Sequence, residues 1–413
     1  MNRLMAAALL LLGFAFNAKA GPLADRGVSG LDGAGSDIQQ IREAPSRAVV
    51  WSKHDEFILA TDQRSLKADP SWKVEFMGSR RQRVLGWDVG PPDAPPVLFW
   101  AGGPGEALTE EFFVSPPALH PEQYRWIAIE QPGAGDGVSE WIPGWRPEDA
   151  ADDAATFLAL RGVKARVIVA GWSWGSTMAL LFAQRHPDLV RGVVAGGIWT
   201  NTQAEVRRYL GSDGARVLMP GVAQSFANLA PNADTACDLH TAIAQGQGGE
   251  ALSAAYADAE VMQISLDSAP RIEPTKVSFT GQPVPVDMVT CKDALVRFAY
   301  IESEMMCRGE RSEWSLPLSF PPDLGRVPLI VLQGKFDQIC NPEVALRVFR
   351  AWPGESRTFV PANFGHIGPR GFSRAELDRA GIDPSQSEAL RRVTKLHFGD
   401  TKALLAAAIA CLD

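Results

Sequence analysis

A run of β-branched apolar residues at 167–170 stops at a glycine, and an apolar helical run at 178–183 begins soon after. Between them stands Gly171-Trp172-Ser173-Trp174-Gly175, a Gly-x-Ser-x-Gly. A strand that turns sharply into a helix carries the middle serine at the tip of the turn, its hydroxyl lifted clear of the sheet. The serine backbone is strained there, and glycines two residues before and after it keep Cβ atoms out of the crowded elbow. The same five residues could make an ordinary Gly/Ser turn. The strand before them and the helix after them give the motif its chemical reading.

The flanking sequence alternates in the same way. Strand-like runs at 49–60, 73–77 and 83–87 suggest an antiparallel start to a sheet. Runs at 96–100, 125–130, 190–196, 327–332 and 357–360 are further strands, with helices at 147–160 and from the elbow to His186. Strands alternating with helices argue for the α/β class, a mostly parallel sheet flanked by helices. The rhythm breaks at Trp199, and 200–321 reads as helical and irregular, with a Gly/Gln run at 244–249. That insertion is expected to form a helical cap domain over the C-terminal edge of the sheet, where ligands bind in open α/β sheets. Residues 46–199 and 322–413 then form the core, and helices at 385–396 and 400–411 close the chain.

Residues 1–20 carry Arg3, an apolar stretch at 4–16 too short to span a bilayer, and Ala18-Lys19-Ala20. These are the three parts of a cleaved signal peptide, so a periplasmic or secreted product is expected. Cleavage would remove Arg3 and Lys19 and take the net charge from −8 to −10. Such a balance offers no basic footprint for nucleic acid. No cysteine follows the cleavage site, so no membrane anchor is expected. Residues 21–45, rich in Gly, Asp and Ser, read as a mobile lead segment. Export would permit disulfides among Cys237, Cys291, Cys307, Cys340 and Cys411. Cys291 and Cys307 flank what reads as one helix, too long a span for a bridge, so Cys237 is the better partner for either one.

Three residues follow three parallel strands in the order Ser173, Asp337, His366. A serine hydroxyl is a poor nucleophile until a base takes its proton. His366 is the candidate base, and Asp337 would hold the imidazole in the right tautomer and stabilise its charged form. Ala101-Gly102-Gly103-Pro104-Gly105 follows the strand at 96–100. The Gly103 and Trp174 backbone N–H groups are the candidate oxyanion hole. The chain has no His-x-x-x-His or Cys-x-x-Cys, so no metal and no cofactor is expected.

With these motifs the chain resembles the proline iminopeptidase (prolyl aminopeptidase) family of α/β-hydrolases. The family's Gly-Gly-Pro-Gly matches Gly102–Gly105. Its Gly-Gly-Ser-Trp-Gly-Ser matches Gly171–Ser176, with Trp172 for the second glycine. Its Gly-Arg-Tyr-Asp-x-x-Cys-Pro is similar to Gly334–Pro342, with one extra residue before the proline, and its Gly-His matches Gly365-His366. The family's Ala-Arg-Ile-Glu is similar to Ala299-Tyr300-Ile301-Glu302. The resemblance implies that Glu302 receives the free α-amino group of a short peptide substrate. It also implies a second cap glutamate, in a Trp-Glu pair, which has no clear match here; Glu273 is only a guess. Ala101 stands where the family has His, Glu130-Gln131-Pro132-Gly133 replaces Asp-Gln-Arg-Gly, and the aromatic pair after the cap glutamate is missing.

Two activities compete on these residues. One is an exported serine aminopeptidase that removes an N-terminal residue, proline above all. The other is an esterase or amidase acting on small acyl substrates, since one fold hosts many substrates. The pattern places Glu302 beside an apolar stripe of Leu295, Phe298 and Ile301 on a helix at 292–306. A carboxylate in that position is ordinarily a solvated rim charge. A desolvated one facing Ser173 would suit an ammonium.

Overall fold

The computed structural model describes residues 69–366, except 115–121, 136, 212–213, 215–218, 265–281 and 363–364, together with 405 and 408–412. The signal segment, the lead segment, the run at 49–60, the helix at 385–396 and Glu273 lie outside the described residues.

Eight strands form one sheet. They are β1 (Lys73–Met77), β2 (Arg83–Val89), β3 (Pro96–Trp100), β4 (Arg125–Ile129), β5 (Val167–Trp172), β6 (Val190–Gly196), β7 (Leu329–Gly334) and β8 (Arg357–Ala362). Their spatial order is β1-β2-β4-β3-β5-β6-β7-β8. β1, β2 and β4 pair antiparallel, and β4 through β8 pair parallel. β1 alternates exposed and covered positions, as an edge strand does, whereas β3, β4 and β7 are buried at every residue. Continuous burial is what helices on both faces produce. One of these helices is α1 (Pro147–Leu160), which sets Phe157 against Phe76 at a ring distance of 4.8 Å. Another is α2 (Trp174–Arg185), which leaves β5 directly.

Between β6 and β7 the described residues hold helices and no strand. These are α3 (Gln203–Leu210), α4 (Pro220–Leu229), α5 (Ala236–Ala244), α6 (Gly249–Ile264) and α7 (Ala294–Glu310). The chain leaves the sheet through Asn201, whose φ of 60° is tolerated best by glycine and asparagine. Its side-chain amide donates to the carbonyls of Met305 (2.9 Å) and Trp314 (3.2 Å), tying the exit to the end of α7. Thr202 and Glu205 then close a capping box that starts α3. α7 opens on Asp293, which accepts from the Leu295 and Val296 N–H groups. It packs against α3, α5 and α6 at once. The disulfide Cys237–Cys307 joins α5 to α7. Cys307 therefore lies inside the helix rather than after it, and Cys291 is a free thiol just before it. No helix among the described residues is long and apolar enough to cross a membrane.

Candidate active site

Ser173 sits between β5 and α2 with φ 57° and ψ −128°, a left-handed backbone that costs a non-glycine residue energy. Two neighbouring glycines have no alternative. A Cβ on Gly171 would lie 2.1 Å from the Gly175 carbonyl oxygen, and one on Gly175 would lie 2.2 Å from that of Trp100. The elbow is held from both sides: the Ser173 N–H donates to Gly196 O (2.9 Å) and the Ser176 hydroxyl donates to Ser173 O (2.6 Å).

Because β5, β6, β7 and β8 run parallel and adjacent, the residues after each strand gather at one edge. His366 Nδ1 lies 2.9 Å from Asp337 Oδ2, and both side chains are buried. The other Asp337 oxygen accepts the backbone N–H groups of Ile339 (2.9 Å) and Cys340 (2.8 Å). Gln333 donates to Asp337 Oδ2 at 3.2 Å. A carboxylate fixed by four donors cannot turn away from the imidazole. Trp172 holds the histidine from the other side. Its indole N–H donates to His366 O at 2.9 Å, and its ring fills the space that side chains on Gly196 and Gly197 would need. The tryptophan that departs from the family pattern thus supports the histidine loop.

Ser173, His366, Gly103, Glu302 and Glu260 line one pocket, with Trp199, Tyr209, Met306 and Ile339. Glu302 is 1% exposed. Tyr209 donates to its Oε1 at 3.0 Å, and its Oε2 has no partner among the described residues. Burial pushes the Glu302 carboxyl well above the usual carboxylate range, and the charge of Glu260 pushes it further. Glu260, on α6, is half-buried, and desolvation followed by the charge of Glu106 raises it to about 8. Tyr256, one turn before Glu260, has a buried hydroxyl without a partner, and burial raises its phenol. The sequence offered no sign of Glu260, which no motif surrounds. Glu304, two residues after Glu302, turns away and pairs with Arg308.

Among the described residues, Asp337, Cys340 and His366 are one group whose ligand atoms lie within 4.8 Å of each other. The aspartate and histidine already bond one another there. Burial, then the charge of Asp337, pushes the Cys340 thiol well above its usual range. A thiol held protonated is a poor nucleophile.

A family model described as the alpha/beta hydrolase fold matches residues 95–369. The chain belongs to this family. Its relatives include a proline iminopeptidase of Arabidopsis thaliana, 25% identical over 71% of this chain and 75% of the relative. One of Neisseria meningitidis is 27% identical over 68% and 85% of the two chains. One of Xanthomonas citri is 26% identical over 80% and 95%. With this fold and these relatives the chain is a serine hydrolase.

Proposed function

We propose that this α/β-hydrolase is an aminopeptidase that removes an N-terminal residue, proline above all, from short peptides through an acyl-enzyme on Ser173. His366 acts as base toward the Ser173 hydroxyl, then protonates the leaving amine, while Asp337 orients the ring and stabilises its cation. The Gly103 and Trp174 N–H groups receive the oxyanion.

The observation that carries the reading is Glu302 Oε2, a buried carboxylate oxygen without a partner in the pocket that Ser173 lines. A buried carboxyl oxygen without a partner is costly, and its retention is explained by an ammonium that arrives with the substrate and favours the ionised form. Glu260 is the second carboxylate, and together the two fix the distance from amine to scissile bond. Trp199, Met306 and Ile339 supply apolar walls suited to a compact first residue. The names of the relatives support the proline preference. The deciding experiment sets prolyl, alanyl and leucyl p-nitroanilides beside p-nitrophenyl acetate and N-acetylated prolyl p-nitroanilide. The reading expects prolyl p-nitroanilide to lead, and acetylation of its amine to abolish cleavage. Preference for the acetate or the acetylated amide would make the chain an esterase or amidase.

The same proposal extends to export through a cleaved signal peptide. The charged, apolar and Ala-Lys-Ala parts of residues 1–20 support it, and the Cys237–Cys307 bridge suits an oxidising compartment. N-terminal sequencing of the protein recovered from producing cells should begin at Gly21, and an intact Met1 would reject it.

A further inference from the structure

Gln131 lies two residues past β4, is 1% exposed, and follows no strand that carries a triad candidate. Its side-chain Oε1 accepts the Trp174 indole N–H at 2.8 Å, and its Nε2 donates to the Gly102 carbonyl at 3.3 Å. The orientation of this amide is dictated by its partners. An indole N–H only donates and a peptide carbonyl only accepts, so one face must be oxygen and the other nitrogen. No side chain of a carboxylate, hydroxyl or apolar type serves both with fixed polarity.

The two partners are the residues around the proposed oxyanion hole. In a trans peptide the C=O of one residue and the N–H of the next point in opposite directions within one plane. The Gly102–Gly103 peptide is trans, so fixing Gly102 O toward Gln131 fixes Gly103 N–H on the opposite side. The same hydrogen bond polarises that peptide and makes its N–H a stronger donor. Trp174 is the first residue of α2, where helix N–H groups have no intrahelical partner. Anchoring its indole on the same amide sets its backbone against the glycine loop.

We propose that Gln131 is a positioning residue that aligns and polarises the two oxyanion donors, resting on the assignment of Gly103 and Trp174 made above. Its contribution appears only when negative charge develops on the substrate oxygen, so it is a transition-state effect.

The test uses the full chain with Gln131→Met and Gln131→Glu, two ligands and one neutral ester. The ligands are the boronic-acid analogue of proline, whose adduct with serine places an anionic oxygen in the hole, and proline itself, which does not. Gln131→Met should lower kcat on p-nitrophenyl acetate about 10- to 100-fold with KM little changed, somewhat less than outright loss of a donor. Affinity for the boronate should fall in step, and affinity for proline should stay. Gln131→Glu should retain more activity while its carboxyl is protonated, since –COOH again offers one donor and one acceptor. It should then lose activity as pH rises, on a limb the wild type lacks. Equal weakening of boronate and proline, no weakening of either, or a Gln131→Glu profile parallel to wild type would overturn the role. A wild type that binds boronate no more tightly than proline would instead remove the oxyanion hole, and this role with it.

Discussion

The Tyr209 hydroxyl donates to one oxygen of Glu302 at 3.0 Å, while the other oxygen has no partner in the pocket that Ser173 lines. One α3 side chain therefore orients an α7 carboxyl through one oxygen only. Tyr209→Phe should leave the carboxylate in place but less well aimed. A neutral donor to a charged acceptor contributes about 1.5–3 kcal/mol, so kcat/KM for prolyl p-nitroanilide should fall about tenfold or more. Hydrolysis of p-nitrophenyl acetate by the same variant is the control, and it should be unchanged.

The proposed nucleophile has the sharpest expectation. Ser173→Ala should lower turnover of amide and ester alike by about 10⁴-fold or more, with an unchanged circular dichroism spectrum. Near-normal rates in that variant would remove the acyl-enzyme reading. Prolonged chelation should leave wild-type rates as they are, because the chemistry proposed needs no metal.

Proton release should accompany amine binding. Desolvation raises Glu260 to about 8, so below that pH its carboxyl holds a proton, and burial together with the Glu260 charge raises Glu302 as well. An ammonium favours the ionised form, and binding it must expel a proton. Calorimetry with prolinamide at pH 7, in buffers of different ionisation heat, should report net release that is smaller in Glu260→Gln. The stability sign follows from the same shift. The unfolded carboxyl ionises near 4.5 and the folded one near 8, so the unfolded state binds fewer protons between them and stability falls as pH rises through that window. Glu260→Gln should raise Tm, and by more at pH 8 than at pH 5.

The elbow, the sheet and the order Ser173, Asp337, His366 were legible because each rests on local pattern: a β-branched run, a glycine pair, a polar residue just past a strand. The helical segment between β6 and β7 was less so. Glu302 stands at the edge of an apolar stripe in sequence, yet α3, α5 and α6 surround α7 and turn that edge into interior. Glu260 arrives in the pocket from α6 by tertiary packing, without a motif of its own. Helix length argued against a Cys291–Cys307 bridge and made Cys237 the better partner for either, but choosing Cys307 requires knowing that α5 packs along α7. Trp172 read as a departure from the family pattern, and only the carbonyl of His366 reveals its use.

The Cys237–Cys307 bridge closes 70 residues of chain and fastens α7 five residues past Glu302. Chain-entropy reasoning puts the constraint on the unfolded state at about 4 kcal/mol. Double replacement of both cysteines by serine should lower stability in urea by about 2–4 kcal/mol. It should also cost more activity on prolyl p-nitroanilide than on p-nitrophenyl acetate, because the helix it releases carries Glu302, the proposed amine site, and not the elbow. Equal stability with and without the bridge would sink this account.

The last expectation separates an amine site from a structural acid. Glu302→Gln keeps the shape and the hydrogen bond from Tyr209 but removes the charge. If Glu302 pairs with the substrate ammonium, that pair is charge-assisted and desolvated, and losing it should cost about 2–3 kcal/mol of transition-state binding. That is about a 30- to 150-fold loss in kcat/KM for prolyl p-nitroanilide. An acyl ester without an amine has nothing to pair, so p-nitrophenyl acetate should lose little. The neutral amide also removes a desolvated acid, so the variant should be no less stable than wild type, and Tm distinguishes a binding loss from a folding defect. A structural acid would give the opposite pattern, with both substrates and Tm declining together. Equal losses on the two substrates, or none on either, would refute the amine site and leave an esterase with a buried carboxylate of another purpose.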